Sequence, residues 1–180
     1  TSGKLALQGN VKGLYGKKAF PAFALDARVA DGTFKYPDLP LPAKEIALDL
    51  SVRNAGGSAD NTVINLRRLH LLLGSNPVDA SLVLRTPVSD PDIDARVRGT
   101  VNLADLRRTV KLNDLQELTG TVAADAAVKT RLSWVDNAQY DRVSASGTID
   151  VRNLSVVSDA AQKPVKIQEA SLRLAPQRAE

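Results

Sequence analysis

Between residues 62 and 101 the apolar positions recur with a period of two. Val78, Ala80, Leu82 and Leu84 alternate with Asp79, Ser81 and Arg85, and Ile93, Ala95, Val97 and Val101 alternate with Asp94, Arg96, Arg98 and Thr100. Successive side chains of a strand leave opposite faces, so this pattern predicts half-buried strands with one aliphatic and one charged face. Residues 74–77 (GSNP) and 87–91 (PVSDP) supply the reversals, which makes three consecutive antiparallel strands. In the first of them Ile64 and Leu66 are in one phase and Leu69, Leu71 and Leu73 in the other. A bulge at Arg67 and Arg68 reconciles the two, because one extra residue returns the apolar set to the same face.

The same period extends in both directions. Residues 4–12 alternate weakly, with Gly9 and Gly13 marking a bulge or a strand end, and residues 14–21 form a connection. Phe23, Leu25, Ala27 and Val29 alternate with Ala24, Asp26 and Arg28, and Asp31-Gly32 signals a turn or bulge before residues 33–36. The proline-rich run at 36–44 (YPDLPLPAK) lacks ladder donors and is expected as an extended rim loop. Ile46, Leu48, Leu50 and Val52 resume a strand, and residues 54–61 (NAGGSADN) are a turn by composition. Asn102 is placed to cap a short helix from Leu103 to about Val110. The alanine-rich run at 120–129 has helix-like composition, but Val122, Ala124, Ala126 and Val128 alternate with Ala123, Asp125 and Lys129, which favours strand. Residues 133–140 are a connection with room for one helical turn. Val143, Ala145, Ile149 and Val151 then define a strand, followed by a loop through Pro164 and a last strand near 167–174. No linker divides the chain, so residues 1–180 are expected as a single continuous unit. Within it, about 3–52 resembles 120–174: ADGTFKYPDL from Ala30 matches ASGTIDVRNL from Ala145, and KEIALDL from Lys44 matches QEASLRL from Gln168. Such a repeat points to an elongated array whose units bury their faces against neighbours.

Composition narrows the chemistry. There are no cysteines and one histidine, which removes disulfides, thiolate sites and multi-histidine metal centres. The net charge of +4 comes from 24 basic and 20 acidic residues that are interspersed, and aromatics are 4%, so a solvated polar face explains the charge better than a nucleic-acid surface. His70 sits in a leucine-rich strand and reads as structural, without a nucleophile and acid to place beside it. Asp90, Asp92 and Asp94 lack the glycine and glutamate of a calcium loop and read as turn capping by Ser89 and Asp90 followed by an outward face. Trp134 and Tyr140 are expected to plug one edge of the apolar layer. No catalytic residues, metal or cofactor are assigned, and the chain is read as not being an enzyme.

The aliphatic face is then the candidate working surface. Its expected liners are Ile46, Leu48, Leu50, Ile64, Leu66, Leu69, Leu71, Leu73, Val78, Ala80, Leu82, Leu84, Ile93, Ala95, Val97, Val101, Val122, Ala124, Val128, Val143, Ala145, Ile149 and Val151. A closed β-sandwich is the ordinary alternative, yet one of this size commonly fills the gap between sheets with aromatics. An open, curved antiparallel sheet that packs hydrocarbon needs none. Burying each methylene is worth roughly 0.8 kcal/mol, so a ~16-carbon chain gains on the order of 10 kcal/mol without specific contacts.

Several segments resemble the AsmA-like proteins of diderm bacteria. They are residues 20–40 (FPAFALDARVADGTFKYPDLP), 60–66 (DNTVINL), 73–91 (LGSNPVDASLVLRTPVSDP), 98–106 (RGTVNLADL) and 133–151 (SWVDNAQYDRVSASGTIDV), in the order that the family has them. Val78 stands where the family often has phenylalanine after the Asn-Pro turn. The resemblance implies an all-β, elongated, taco-shaped groove of an inner-membrane-anchored periplasmic protein, related to bridge-like lipid-transfer proteins. It implies phospholipids as partners, passive transfer of lipid between inner and outer membranes in outer-membrane biogenesis, and no catalytic residues. Because the chain opens directly in strand-like pattern, it is expected to be a segment of a longer protein whose membrane contacts lie elsewhere. A structural repeat or scaffold without lipid cargo is the alternative, and a transmembrane β-barrel is disfavoured by the proline interruptions and missing aromatic girdles.

Overall fold

Every strand pairs antiparallel with its neighbour in sequence, and the computed structural model is one nine-stranded sheet in the order β1 to β9. The structure describes residues 1–13, 20–35, 37, 41–110, 115–158 and 165–175. The strands are β1 (Ser2–Lys12), β2 (Ala22–Phe34), β3 (Ala43–Asn54), β4 (Thr62–Leu73), β5 (Asn76–Arg85), β6 (Asp92–Asn102), β7 (Leu115–Arg131), β8 (Ser144–Ser158) and β9 (Val165–Leu174). Two short helices, α1 (Leu103–Thr109) and α2 (Leu132–Asp136), sit in the β6–β7 and β7–β8 connections. The sheet is open and curled, and 71% of the described residues are strand. The expected all-β antiparallel architecture with one or two short helices is therefore the observed one.

A meander of this kind follows from local instructions. Leu73 pairs with Asn76 around Gly74-Ser75, a two-residue turn. Gly74 has φ +65, at the first central position, where a type II′ turn needs the left-handed conformation. A side chain there would also meet the Asp105 carboxylate, with a Cβ only 2.8 Å from its Oδ2.

The phase shift in β4 resolves as a bulge. Leu66 pairs with Leu82 and Leu69 with Ala80, so Arg67 and Arg68 together oppose Ser81. Three more irregularities follow the same logic, each with a positive-φ residue: Asp31 in β2, Glu45 in β3 and Asn153 in β8. Bulges bend strands and raise their twist, which suits a curled sheet. The one at Asn153 corrects the expected loop after Val151. The strand continues to Ser158, because the bulge lets Leu154 and Val156 rejoin the face of Ile149 and Val151. Gly9, by contrast, lies in unbroken register opposite Leu25, and Gly13 falls just past the end of β1. Ala43 and Lys44, expected in the rim loop, already belong to β3, while 36 and 38–40 lie outside the described residues, as do 14–19 of the first connection and 159–164 of the last.

Asn102 caps α1 as its position predicts, its Oδ1 accepting from the amides of Ala104 (2.9 Å) and Asp105 (3.3 Å). The helix lies across the ends of β4, β6 and β7, and the Leu41 amide donates to the Arg108 carbonyl at 3.2 Å. Thr109 is the most enclosed side chain among the described residues at 2% exposure, its hydroxyl donating to the Asp105 carbonyl. Asn102→Ala is expected to cost about 1 kcal/mol in urea denaturation, since it leaves two helix amides unpaired.

Candidate functional site: an uncovered aliphatic face

Register carries the aliphatic pattern across the whole sheet. One row of paired residues runs Leu5, Val29, Leu48, Leu69, Ala80, Val97, Ala126, Gly147 and Leu174, touching all nine strands. The adjacent row runs Leu7, Ala27, Leu50, Leu66, Leu82, Ala95, Val128 and Ala145. Flanking rows add Leu25, Val52, Ile64, Leu84 and Ile93 on one side, and Leu71, Val78, Gly99, Ala124, Ile149 and Leu172 on the other. Eight strand spacings of about 4.8 Å make each full row about 38 Å long.

No second sheet covers this face among the described residues. Among the described residues the buried apolar side chains are only Ala27, Ala43 and Leu118. Total accessible surface is 12127 Å², against about 8,400 Å² for a compact protein of this mass. None of the expected liners is buried; Val97, in mid-sheet, is 39% exposed. All of them fall in phase on the aliphatic face except Val143, which ends the 3-10 turn Tyr140–Arg142 ahead of β8.

The structure adds liners that the sequence reading left out. Leu5, Leu7 and Val11 of the edge strand β1 are 69%, 65% and 72% exposed, and Leu25, Val29, Val52, Ala126, Leu154, Val156, Leu172 and Leu174 extend the surface. The alternation of β2 is visible in the sequence and could have placed Leu25 and Val29. Leu154 and Val156 are out of phase with Val151 and become legible only through the bulge.

The opposite face is ionic. Arg53 clasps Asp26 with 2.6 and 2.8 Å contacts, Asp49 bridges Arg67 and Arg28, Lys129 meets Asp94 at 3.0 Å, and Arg98 faces Asp125 at 3.4 Å. The Arg67 guanidinium holds the Asp49 carboxyl below its ordinary range. His70 does have an acid beside it: its Nδ1 lies 2.8 Å from Asp79, its directly paired residue on β5. A cleft of about 640 Å³ beside β1 opens among Leu5, Leu7, Gln8, Asp26, Arg28 and Arg67.

At the end of the sheet bearing α2, loops distant in sequence are tied together by two carboxylates. Asp60 accepts from the Val88 and Ser89 amides, both at 3.0 Å, and Asp90 accepts from the Ser133 amide and hydroxyl, both at 2.9 Å. The turn at 86–91 is thus held by Asp60 from a neighbouring loop, where capping by Ser89 and Asp90 was expected. Trp134 is half-buried under the Arg142 guanidinium, 4.8 Å from its ring centroid, but Tyr140 is 63% exposed and plugs nothing. Hydrogen bonds from Ser133 hold the Asp90 carboxyl below its ordinary value of 3.8, and those from Ser89 do the same for Asp60. A carboxylate depressed in the folded state stabilises above its unfolded pKa, and that contribution is lost as pH falls through the folded value. Thermal stability is therefore expected to drop below about pH 4, with a shallower acid limb in Asp90→Asn, as followed by circular dichroism.

No family model, curated protein or solved structure matches this chain. The class that the geometry itself defines is a single-layer, two-faced antiparallel meander, aliphatic on one side and ionic on the other.

Proposed function

We propose that the aliphatic face binds lipid acyl chains and that the chain is a segment of a passive lipid-transfer groove. The observation that carries the reading is the row from Leu5 to Leu174, aliphatic on every strand but β8, where it passes through Gly147, with no residue of it buried and no covering layer among the described residues. At about 38 Å it exceeds the ~30 Å hydrocarbon thickness that two opposed acyl chains fill, so one chain laid across the strands fits within it. With no convergent polar groups on that face among the described residues, the chain would be held by area and not by fixed contacts, which permits sliding. Phospholipid is the cargo we favour, and passage between the two membranes of a diderm envelope, through the periplasm, is the setting implied by the resemblance to AsmA-like proteins.

Lipid extraction and native mass spectrometry of the purified protein test this, together with uptake of a fluorescent fatty acid by delipidated protein. Co-purifying phospholipid and saturable uptake are expected. Protein free of lipid that takes up no probe would leave the scaffold reading, in which neighbouring segments close the face.

A further inference from the structure

The bulge that keeps the aliphatic face in phase has a second consequence on the ionic face. It presents two consecutive arginines, Arg67 and Arg68, on the same side as Ser81, which they jointly oppose. Across β5's other edge, Ser81 pairs directly with Arg96, and Asp79 pairs with Arg98. These residues line a cleft of about 350 Å³. The acids nearby are already engaged: Asp49 by Arg67 and Arg28, Asp125 by Arg98, and Asp79 by His70. Arg68 and Arg96 have no ion pair or side-chain hydrogen bond among the described residues.

We propose that this cleft is a phosphate-binding site, with Arg68 and Arg96 as its principal ligands and the Ser81 hydroxyl between them as a further donor. Their backbones stand two strand spacings apart, about 10 Å, so two long side chains converge on one group seated over Ser81. Guanidinium forks match phosphate oxygens in pairs, and a tetrahedral anion offers acceptors to both sides of the strand at once. A carboxylate, with two oxygens in one plane, satisfies one fork and leaves the other. The phosphate is that of a soluble ester or of a lipid headgroup. The site lies on the face opposite the aliphatic rows, so it is independent of acyl-chain binding.

Calorimetric titration with inorganic phosphate, at ionic strength matched with sodium chloride, is the first arm. Sedimentation with phosphatidylcholine vesicles containing or lacking phosphatidic acid is the second. Saturable binding is expected in at least one, weakened about tenfold by Arg68→Gln or Arg96→Gln and lost in the double variant. Arg85→Gln, on the same face but paired with Asp92, should bind as wild type. Binding of inorganic phosphate identifies any phosphate ester as ligand, and binding of acidic vesicles alone identifies a headgroup. All three arginines are exposed, so thermal melts should be unchanged, and fluorescent fatty-acid uptake reports the other face separately. Wild-type protein that binds neither probe, or an equal loss in Arg85→Gln, would overturn the proposal.

Discussion

Leu82→Asp is expected to abolish acyl-chain uptake, and Val97→Asp to do the same at lower cost to the fold. Leu82 pairs with Leu66 and Ala95 at the centre of the second aliphatic row, and Val97 pairs with Ala80 and Ala126 in the first. A carboxylate in either place must be stripped of water wherever hydrocarbon lies over it, a cost of several kcal/mol that no partner on that face offsets. Leu82 is half-buried, so its loss also takes about 1 to 2 kcal/mol from stability. Val97 is 39% exposed, and its variant separates binding from folding. Arg85→Asp and Arg96→Asp, on the ionic face, should leave uptake intact and shift stability by no more than about 1 kcal/mol. Equal losses from both sets would show that the faces are misassigned.

The second large effect concerns register. Deleting Arg67 removes the residue that the bulge accommodates: Arg68 then opposes Ser81, and Leu66 and Leu69 keep their partners Leu82 and Ala80. This deletion should change stability by about 1 kcal/mol or less, since it loses an exposed pairing with Asp49. Deleting Arg96 is the opposite case. The β5–β6 and β6–β7 ladders run without a bulge, so Ile93 and Ala95 are driven to the opposite face from Val97 and Val101. An aspartate is then forced onto the aliphatic side, or the valines out of it, and a loss of about 3 kcal/mol or outright misfolding is expected. Urea denaturation of the two single-residue deletions makes the comparison.

That contrast also shows which parts of the molecule were legible in the sequence. Alternation placed β3 to β6 and the 120–129 part of β7 with the liners on them, though not the start of β7 at Leu115, and the break between Leu66 and Leu69 revealed the bulge because strong apolar runs flank it on both sides. The same break between Val151 and Leu154 reads as the end of a strand, since only short runs surround it. Glu45 left no signal at all: its bulge separates Ile46 from Ala43, and one alanine does not mark a phase. Asn102 was legible because capping is local. The ties from Asp60 to Val88 and from Asp90 to Ser133 were not, since they span 28 and 43 residues and depend on which loops the completed meander brings together. The phosphate cleft was hidden for a related reason. Arg67-Arg68 and Arg96 look like separate surface charges until the ladder sets them on either side of Ser81.

Photo-crosslinking tests the central claim most directly. With a benzophenone amino acid at position 82, the purified protein is expected to crosslink to phospholipid, visible as a lipid-mass adduct, whereas the same probe at position 85, on the ionic face and away from the phosphate cleft, should give none. Adducts of equal abundance from both positions, or none from position 82, would contradict a lipid-binding aliphatic face.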